Sequence, residues 1–454
     1  MQIQKDFREF GKSNSTMAAI QEFVKYSIYE KLDKLPSNSY AVCIYIVPEK
    51  FRKVNEEAYT PRLVSIGPLH HGRIHLQAME DYKLRCLHGF LNRFVVVLDD
   101  VIKVATELER SVRQHYQSIT ETESSCGVFT EMILLDGIFI VDLFLKNYFP
   151  EMRDRNDKIY TNQWMRKDLL HDMMLLENQL PSIVPEKLLE FVKGSLWNYI
   201  PCNNGAPLSS GFPFLDLAHK YFNGVGNTAN LPIPVTSNCF EARHLVEFLR
   251  HLHRPSLPRL ESQYRGKFEY SRSATELQEA GVKFKTDTEE SCLFNILFTN
   301  GVLTIPHITV NEWTETFFRN LIAFEQCERE NKNISSYIII MDSFVNTPED
   351  VDLLVQNGII ENLLGESEKV ADLFNNLHKE TITDPDDFYF AELCDHLNEY
   401  SRDWWHEWKA AWFKWKLILK RNYFGNPWSI ISVIAAIVLL ILTVIQTVFS
   451  TKVP

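Results

Sequence analysis

The chain has 454 residues and a formal net charge of -12, with 47 Lys and Arg against 59 Asp and Glu. That length predicts two packed lobes, or one large domain with appendages, rather than a single small core. This net negative charge repels the phosphate backbone of nucleic acids and so excludes nucleic acid as a partner.

The eight cysteines are widely spaced, and no two of them have zinc-knuckle or C-x-x-C spacing. We therefore expect free thiols in a reducing compartment, and we predict no metal or cofactor. The first thirty residues carry charges throughout and lack the apolar core of a secretory signal. We expect the N-terminus to stay on the side where it is synthesised.

Residues 1–37 are predicted to form a polar leader followed by a short amphipathic helix. Apolar side chains recur there at helical spacing, which predicts a helix packed as an N-terminal arm; they are Ile20, Phe23, Val24, Ile28 and Leu32.

Residues 38–200 are predicted to form a first helical lobe. The extended segment AVCIYIVP opens it and ends at Pro48. The stretch 131–147 is apolar on nearly every face, but it is short and contains Asp136 and Asp142, so it predicts a core helix rather than a membrane span. A further helix is predicted from Lys167 until Pro181 ends it.

Residues 201–240 are rich in Asn, Gly, Pro and Ser, which predicts surface loops at a lobe boundary. Residues 241–385 are predicted to form a second lobe. Ser273 with Glu276 forms a capping-box pattern, and Thr347-Pro348 predicts another helix start. The Asn300-Gly301 pair between 292–299 and 302–305 predicts a β-hairpin with a type I′ turn.

Residues 386–424 contain neither Gly nor Pro, which predicts one long helix. Its tryptophans and basic residues suit a membrane interface, where indole rings lie at headgroup depth. The predicted interface residues are Trp404, Trp408, Trp412, Trp415, Lys416, Lys420 and Arg421 in this helix and Trp428 just after it. The alternative is that Trp404 and Trp408 cover the soluble core.

Residues 428–449 lack any charge and are long enough, at about 1.5 Å per residue, to cross a hydrocarbon layer of about 30 Å. Basic residues precede this stretch, and only Lys452 follows it, so the large domain is expected to be cytosolic. The short tail beyond it predicts a single-pass tail anchor inserted after synthesis, by default in the plasma membrane. The predicted fold is thus mainly α, with a large helical soluble domain, a small β-hairpin component and one C-terminal transmembrane helix.

Five residues are candidates for chemistry: His70, His71, Glu80, Asp136 and Glu177. Paired imidazoles beside a carboxylate can bind a metal or move protons, but no known metal pattern accompanies them. The alternative is a turn in which the histidines bond to backbone or to Glu80.

Asp136 and Glu177 lie in apolar segments, where an ionised carboxylate needs a partner. Arg52, Lys83 and Arg85 are the candidate partners. A catalytic acid and base pair across a cleft is the other possibility. Glu177, with Asn178 and Gln179 near a helix end, is expected instead to bind backbone groups.

Several segments, in order and over almost the whole chain, resemble a plant family called domain of unknown function 247. They are IYIVPEKFRKVNEEAYTPRLVSIGPLHHG, MEDYKLRCL, LLDGIFIVDLF, LLENQLP, FTNGVLTIP, FFRNLIAFEQC, DVDLLVQNGII, LFNNL and the PW before the apolar span. The chain departs from the family pattern at Asn295 and at Ser182-Ile183. The resemblance implies a helical cytosolic-type domain with a C-terminal anchor, and no established reaction.

Members of that family at self-incompatibility loci imply a role in recognition between proteins. The predicted function is therefore a membrane-anchored recognition or signalling component, with the membrane and another protein as partners and no enzymatic activity required. The alternative is a membrane-tethered hydrolase or transferase that uses the five candidate residues.

Overall fold

A computed structural model describes residues 15–33, 42–117, 126–196, 214–225, 242–253, 269–287, 292–328, 332–379, 381, 387–402 and 438–443. The described chain is mostly helical, as predicted. The main helices are α1 Ser15–Asp33, α2 Glu49–Arg52, α3 Ala78–Phe94, α4 Leu98–Arg113, α5 Cys126–Tyr148, α6 Lys158–Thr161, α7 Gln163–Met173, α8 Ile183–Glu190, α9 Phe214–Tyr221, α10 Leu245–Leu252, α11 Ala274–Glu279, α12 Thr314–Cys327, α13 Asn333–Phe344, α14 Pro348–Gln356, α15 Ser367–His378 and α16 Ala391–Arg402.

Five short strands form two small sheets; they are β1 Lys283–Asp287, β2 Leu297–Thr299, β3 Val302–Pro306, β4 Ile308–Val310 and β5 Ile360–Asn362. The predicted hairpin is β2 and β3, paired antiparallel around Asn300 and Gly301, both of which have positive φ. Its first strand begins at Leu297 rather than at 292. The parallel partner of β3 is β1, and β4 pairs in parallel with β5, neither of which the sequence predicted.

The N-terminal helix is present as α1, but it is not the packed arm that its pattern predicted. All five of the apolar side chains that made up the pattern are about half exposed: Ile20 at 46%, Phe23 at 54%, Val24 at 46%, Ile28 at 50% and Leu32 at 51%. An amphipathic pattern predicts a helix and its apolar face, but not which surface buries that face.

The α5 helix is the centre of the first half of the chain, as its apolar sequence predicted. Its residues from Met132 to Lys146 are all buried, and α3, α4, α8 and α9 pack around it. Gly137 lets α8 approach closely, because a Cβ there would lie 2.7 Å from Leu188 Cδ1. The two aspartates in α5 are therefore deep in protein, which explains why they need ionic partners.

The helix predicted from Lys167 to Pro181 ends early, at Met173. Residues 174–182 are irregular instead. Side chains of the same segment hydrogen-bond to backbone groups that would have paired with each other in a helix. Gln179 Nε2 donates to the carbonyl oxygens of Met173 at 3.0 Å and Leu175 at 2.8 Å. These local bonds outcompete the helical ones.

Two helix starts in the second half of the chain are those that the sequence predicted. Ser273 and Glu276 form a capping box at α11, and Thr347 and Asp350 form another at α14, where Pro348 is the first helical residue. Asp350 also accepts a 2.8 Å bond from the N–H of Thr275, so one side chain joins both caps.

One hydrophobic core runs through the described chain from Cys43 to Leu397. Direct bonds cross the interval between the two predicted lobes: Asn320 Oδ1 accepts from Leu176 N–H at 2.9 Å, and Ser182 N–H donates to Arg243 O at 2.8 Å. The division into residues 38–200, 201–240 and 241–385 stays a prediction.

None of the described helices has both the length and the apolar character needed to span a bilayer. The predicted span 428–449 lies outside the described residues except for 438–443, which are helical, with Val438 to Leu442 between 48% and 66% exposed. The long helix predicted over 386–424 is described only as α16. Outside the described residues lie Trp404, Trp408, Trp412, Trp415, Lys416, Lys420, Arg421 and Trp428.

Candidate functional site

The buried polar groups of the first half of the chain form a network around the segment 60–72. This segment lacks regular secondary structure, so its backbone N–H groups need acceptors from elsewhere. Asp172, at the end of α7, accepts from three of these N–H groups with its two carboxylate oxygens. Its carboxylate accepts from the N–H groups of Arg62 at 2.8 Å, Leu63 at 2.7 Å and Val64 at 2.8 Å.

The next residues of the network continue this pairing along the same segment. Asn178 Oδ1 accepts from Ile66 N–H at 2.7 Å, and its Nδ2 donates to Val64 O at 3.1 Å. Gly67, at φ 72°, lies so close to Gln179 that a Cβ would be 2.5 Å from the Gln179 carbonyl oxygen. Segments 62–67 and 172–179 therefore interlock, and glycine is required at position 67.

Asp136 and Lys83 form a fully buried ion pair. Lys83 Nζ lies 2.6 Å from Asp136 Oδ1, Glu80 Oε1 and Ser65 O, so its three N–H bonds all have acceptors. The other carboxylate oxygen of Asp136 accepts from Gly67 N–H at 2.7 Å. Burial lowers the pKa of Lys83, but the two carboxylates outweigh it and raise that pKa above its usual value.

Glu177 anchors a second part of the network. Its Oε1 accepts from Arg52 Nη2 at 2.6 Å and from Val47 N–H at 2.7 Å, and its Oε2 lies 3.3 Å from His70 Nε2. Burial raises the pKa of Glu177, but His70, Arg52 and the Val47 N–H together bring it below its usual value. Glu177 is thus an ionised acceptor that fixes two chain segments.

The structure brings only some of the five candidate residues together. His70 meets Glu177, and Glu80 meets Asp136 through Lys83, but the two carboxylates Asp136 and Glu177 bind different cations. His71 is exposed, and the neighbouring His75 Nε2 bonds to Pro61 O at 3.2 Å. Among the described residues, no group of His, Cys, Asp and Glu could hold a metal ion.

Two of the three cations proposed from the sequence are the observed partners: Lys83 for Asp136 and Arg52 for Glu177. The expectation that Glu177, Asn178 and Gln179 bind backbone groups is also confirmed. The alternative expectation was that the histidines bond to backbone or to Glu80; His75 Nε2 bonds to the Pro61 carbonyl oxygen, and Lys83 Nζ lies 2.6 Å from Glu80 Oε1. Each carboxylate is held by its own partners, so the geometry provides structural support rather than an assembled acid and base pair.

Sequence reasoning missed a second buried ionic cluster. Lys146 Nζ lies 2.8 Å from Asp142 Oδ2 and 2.9 Å from Asp157 Oδ2, and Arg93 Nη1 lies 3.0 Å from the other oxygen of Asp142. Tyr82 donates to Asp157 at 2.7 Å. The spacing of Asp142 and Lys146 by one helical turn, inside an apolar helix, was the signal that could have revealed it.

A third cluster connects the first extended segment to α10 and α12. Arg243 Nη2 bridges Glu247 Oε1 at 2.6 Å and Glu328 Oε1 at 2.7 Å, and Tyr45 donates to Glu328 at 3.1 Å. His244 Nε2 lies 3.1 Å from Cys43 O. Arg243 and Glu247 are one helical turn apart, but Cys43, Tyr45 and Glu328 are far from them along the chain, so no local sequence pattern predicts the whole cluster.

A family profile described as "Plant protein of unknown function", DUF247, matches residues 44–442. The chain belongs to this family. The sequence segments that resemble the DUF247 family include Lys83, Asp136, Glu177 and residues 60–72. The family pattern therefore coincides, in this chain, with the residues that hold its core together.

Two curated relatives of this DUF247 chain come from Arabidopsis thaliana. UPF0481 protein At3g47200 is 28% identical over 437 residues, which cover 89% of this chain and 85% of the relative. Putative UPF0481 protein At3g02645 is 23% identical over 510 residues, which cover 93% of each. No solved structure matches the chain.

Proposed function

We propose that this DUF247 protein is a membrane-anchored recognition component rather than an enzyme. The observation that carries the proposal is the state of its buried ionisable groups. Asp136, Glu177 and Asp172 each accept bonds from backbone N–H groups as well as from cations or a histidine. An acid and base catalyst needs a group free to exchange protons with a substrate, whereas these groups stabilise a helical body.

The anchor part of the proposal rests on the uncharged stretch 428–449. Within it, Leu439 and Leu440 are helical and about two thirds exposed, at 65% and 66%. Exposed leucines on a helix are favourable in hydrocarbon and unfavourable in water. The basic residues before the stretch favour a cytosolic position for the large N-terminal part, and the plasma membrane is the proposed site.

The anchor is tested by fractionation of plant cells that express the full-length chain. Changing Leu439, Leu440 and Ile441 together to lysine adds about 2.5 to 3.5 kcal/mol of insertion cost per residue, so this variant should move to the soluble fraction. Ser450→Lys with Thr451→Lys, just beyond the stretch, is the matched control and should stay with the membranes. Salt- and carbonate-resistant membrane binding of the triple variant would refute the anchor.

The cytosolic orientation is tested by glycosylation of the sequons at Asn14 and Asn333. In the proposed orientation neither asparagine meets the glycosylation machinery, and endoglycosidase treatment leaves the electrophoretic mobility unchanged. A mobility shift that Asn333→Gln abolishes would place the large domain on the other side of the membrane.

Recognition is tested by crosslinking the full-length chain in intact membranes and identifying crosslinked proteins by mass spectrometry. We expect a defined crosslinked protein partner, and we expect this crosslink to be lost when the membranes are heated above the thermal midpoint of the chain before crosslinking. Two results together would favour the enzyme alternative. The first is that no specific crosslink is found, and the second is that Glu177→Gln abolishes substrate turnover without changing the stability of the chain.

A further inference from the structure

The corner between α3 and α4 contains a valine in an unfavourable backbone conformation. Val95 has φ 55° and ψ 44°, the left-handed region, directly after the last residue of α3. The N–H groups of Val95 and Val96 both donate to Leu91 O, which closes the helix. Glycine is the usual residue at this position, because a β-branched side chain there clashes with the backbone.

The strained valine is not compensated by burial. Val95 is 88% exposed, and its apolar neighbours Val97, Leu98 and Ile102 are exposed by 59%, 42% and 40%. The helices α3 and α4 both pack on α5, and Val95 lies at the corner that joins them. We name these four residues the apex patch. Strained residues and contiguous exposed apolar side chains both concentrate at binding surfaces.

The charges around the apex patch indicate what it can bind. Asp99 and Asp100, in the first turn of α4, are exposed and have no ionic partner among the described residues. The nearby Arg93 is engaged by Asp142 and by the Met152 carbonyl oxygen, and Lys103 lies one turn further along α4. Acidic groups beside an apolar patch favour a basic apolar partner and disfavour insertion among anionic lipid headgroups.

We propose that the apex patch is the docking site for a basic amphipathic helix of a partner protein. The inference rests on the proposed recognition function and names its surface. Apolar side chains of that helix contact Val95, Val97, Leu98 and Ile102, and its lysines or arginines pair with Asp99 and Asp100. Binding then gives this chain a reason to have valine at position 95 where folding alone favours glycine.

The test uses the full-length chain in detergent micelles and a fluorescent synthetic helix of leucine and lysine as the probe. A helix of leucine and glutamate is the charge control. Val95→Gly should weaken probe binding by about five- to tenfold, since it removes a central apolar contact. The same variant should keep or raise the thermal midpoint, because glycine adopts the left-handed conformation readily.

Two further variants make the result specific. Asp99→Asn with Asp100→Asn should weaken binding and reduce its salt dependence. Leu363→Ser, at a residue that is 61% exposed outside the patch, is the matched control and should bind like the unmodified chain. Equal binding by Val95→Gly, equal binding of the glutamate helix, or a lowered thermal midpoint of Val95→Gly would overturn the proposal.

Two outcomes separate this proposal from its alternatives. A Val95→Gly effect seen in phospholipid nanodiscs but absent in micelles would assign the patch to the bilayer and overturn protein docking. If Val95→Gly keeps the crosslinked partner of the intact chain in membranes, the apex patch is wrong and the recognition function stands. If the unmodified chain has no crosslinked partner, the recognition function itself fails.

Discussion

At the scale of single residues, Asp172 determines the conformation of the segment that follows Thr60. Three backbone N–H groups and His171 Nδ1 lie within 2.9 Å of its carboxylate. A buried carboxylate with this many donors is a charge-assisted acceptor that an amide cannot replace, because an amide has one acceptor oxygen and adds unwanted N–H donors.

Asp172→Asn should therefore lower the free energy of unfolding by about 2 to 4 kcal/mol, measured by urea denaturation at neutral pH. Asp168→Asn is the matched control on the same helix, since Asp168 has only a 3.8 Å contact with the half-exposed Arg62. That control should change the free energy by less than about 0.5 kcal/mol. Equal effects of the two variants would show that the Asp172 bonds contribute little.

Two buried histidines differ in their partners and so test the contribution of burial alone. Burial lowers the pKa of His244 and of His253 to about 4 from 6.5. His244 bonds to Cys43 O and accepts from Glu247 N–H, whereas His253 has no polar partner among the described residues and packs edge-on against Phe317 at 5.5 Å. The neutral imidazole is the folded form of both.

Since the folded pKa is depressed, protons bind the unfolded chain first as the pH falls below about 6.5. The free energy of unfolding should therefore decrease between pH 6.5 and 4. His253→Leu should reduce this decrease and change stability little at pH 7.5, while His244→Leu should also lose stability at pH 7.5, by about 1 to 3 kcal/mol. Urea denaturation at pH 7.5, 5.5 and 4.5 measures both. An unchanged pH dependence in His253→Leu would contradict the assignment.

At the scale of elements, the β2–β3 hairpin depends on the turn at Asn300-Gly301. Gly301 has φ 75°, and a Cβ there would lie 2.5 Å from Tyr400 Oη on α16. The glycine is thus required both by the type I′ turn and by the approach of the C-terminal helix.

Gly301→Ala should destabilise the protein by about 1 to 3 kcal/mol, measured as a shift in the urea midpoint. Gly365 also has a positive φ, of 90°, but a Cβ there would meet no other atom within 4 Å. Gly365→Ala therefore measures the backbone strain without a steric contact such as that with Tyr400. The Gly365→Ala substitution should lower the free energy of unfolding by about 1 kcal/mol. A Gly365→Ala effect as large as that of Gly301→Ala would mean that Tyr400 moves aside freely.

At the scale of the whole molecule, side-chain hydrogen bonds connect the two predicted lobes. Asn55 Nδ2 donates to Glu315 Oε1 at 2.9 Å, and Asn320 Nδ2 donates to Ala58 O at 2.8 Å. Together with the continuous hydrophobic core, these bonds predict that both halves unfold together.

The expected result is one cooperative transition for the full-length chain in micelles, followed by circular dichroism and by tryptophan fluorescence. Asp172→Asn in the first half and Gly301→Ala in the second should lower the same midpoint. Two transitions, each moved by only one of the variants, would show that residues 38–200 and 241–385 are independent lobes.

The sequence by itself determined the helical class, the core helix α5, the caps at Ser273 and Thr347, and the turn at Asn300-Gly301. Each of these depends on interactions within one or two turns of chain, where residue type and spacing suffice. It also predicted that Asp136 and Glu177 have cationic partners and named three candidate cations, because buried carboxylates require such partners.

Only the tertiary structure decided how these residues are used. Arg62 and Asp172 are 110 positions apart, and Val47 and Glu177 are 130 apart, so their pairing depends on the packing of distant segments. The parallel partners of β3 and β4, and the exposure of α1, have the same origin. Periodicity shows that a face is apolar and that a carboxylate needs a partner, but three-dimensional packing selects which surface covers the face and which backbone meets the carboxylate.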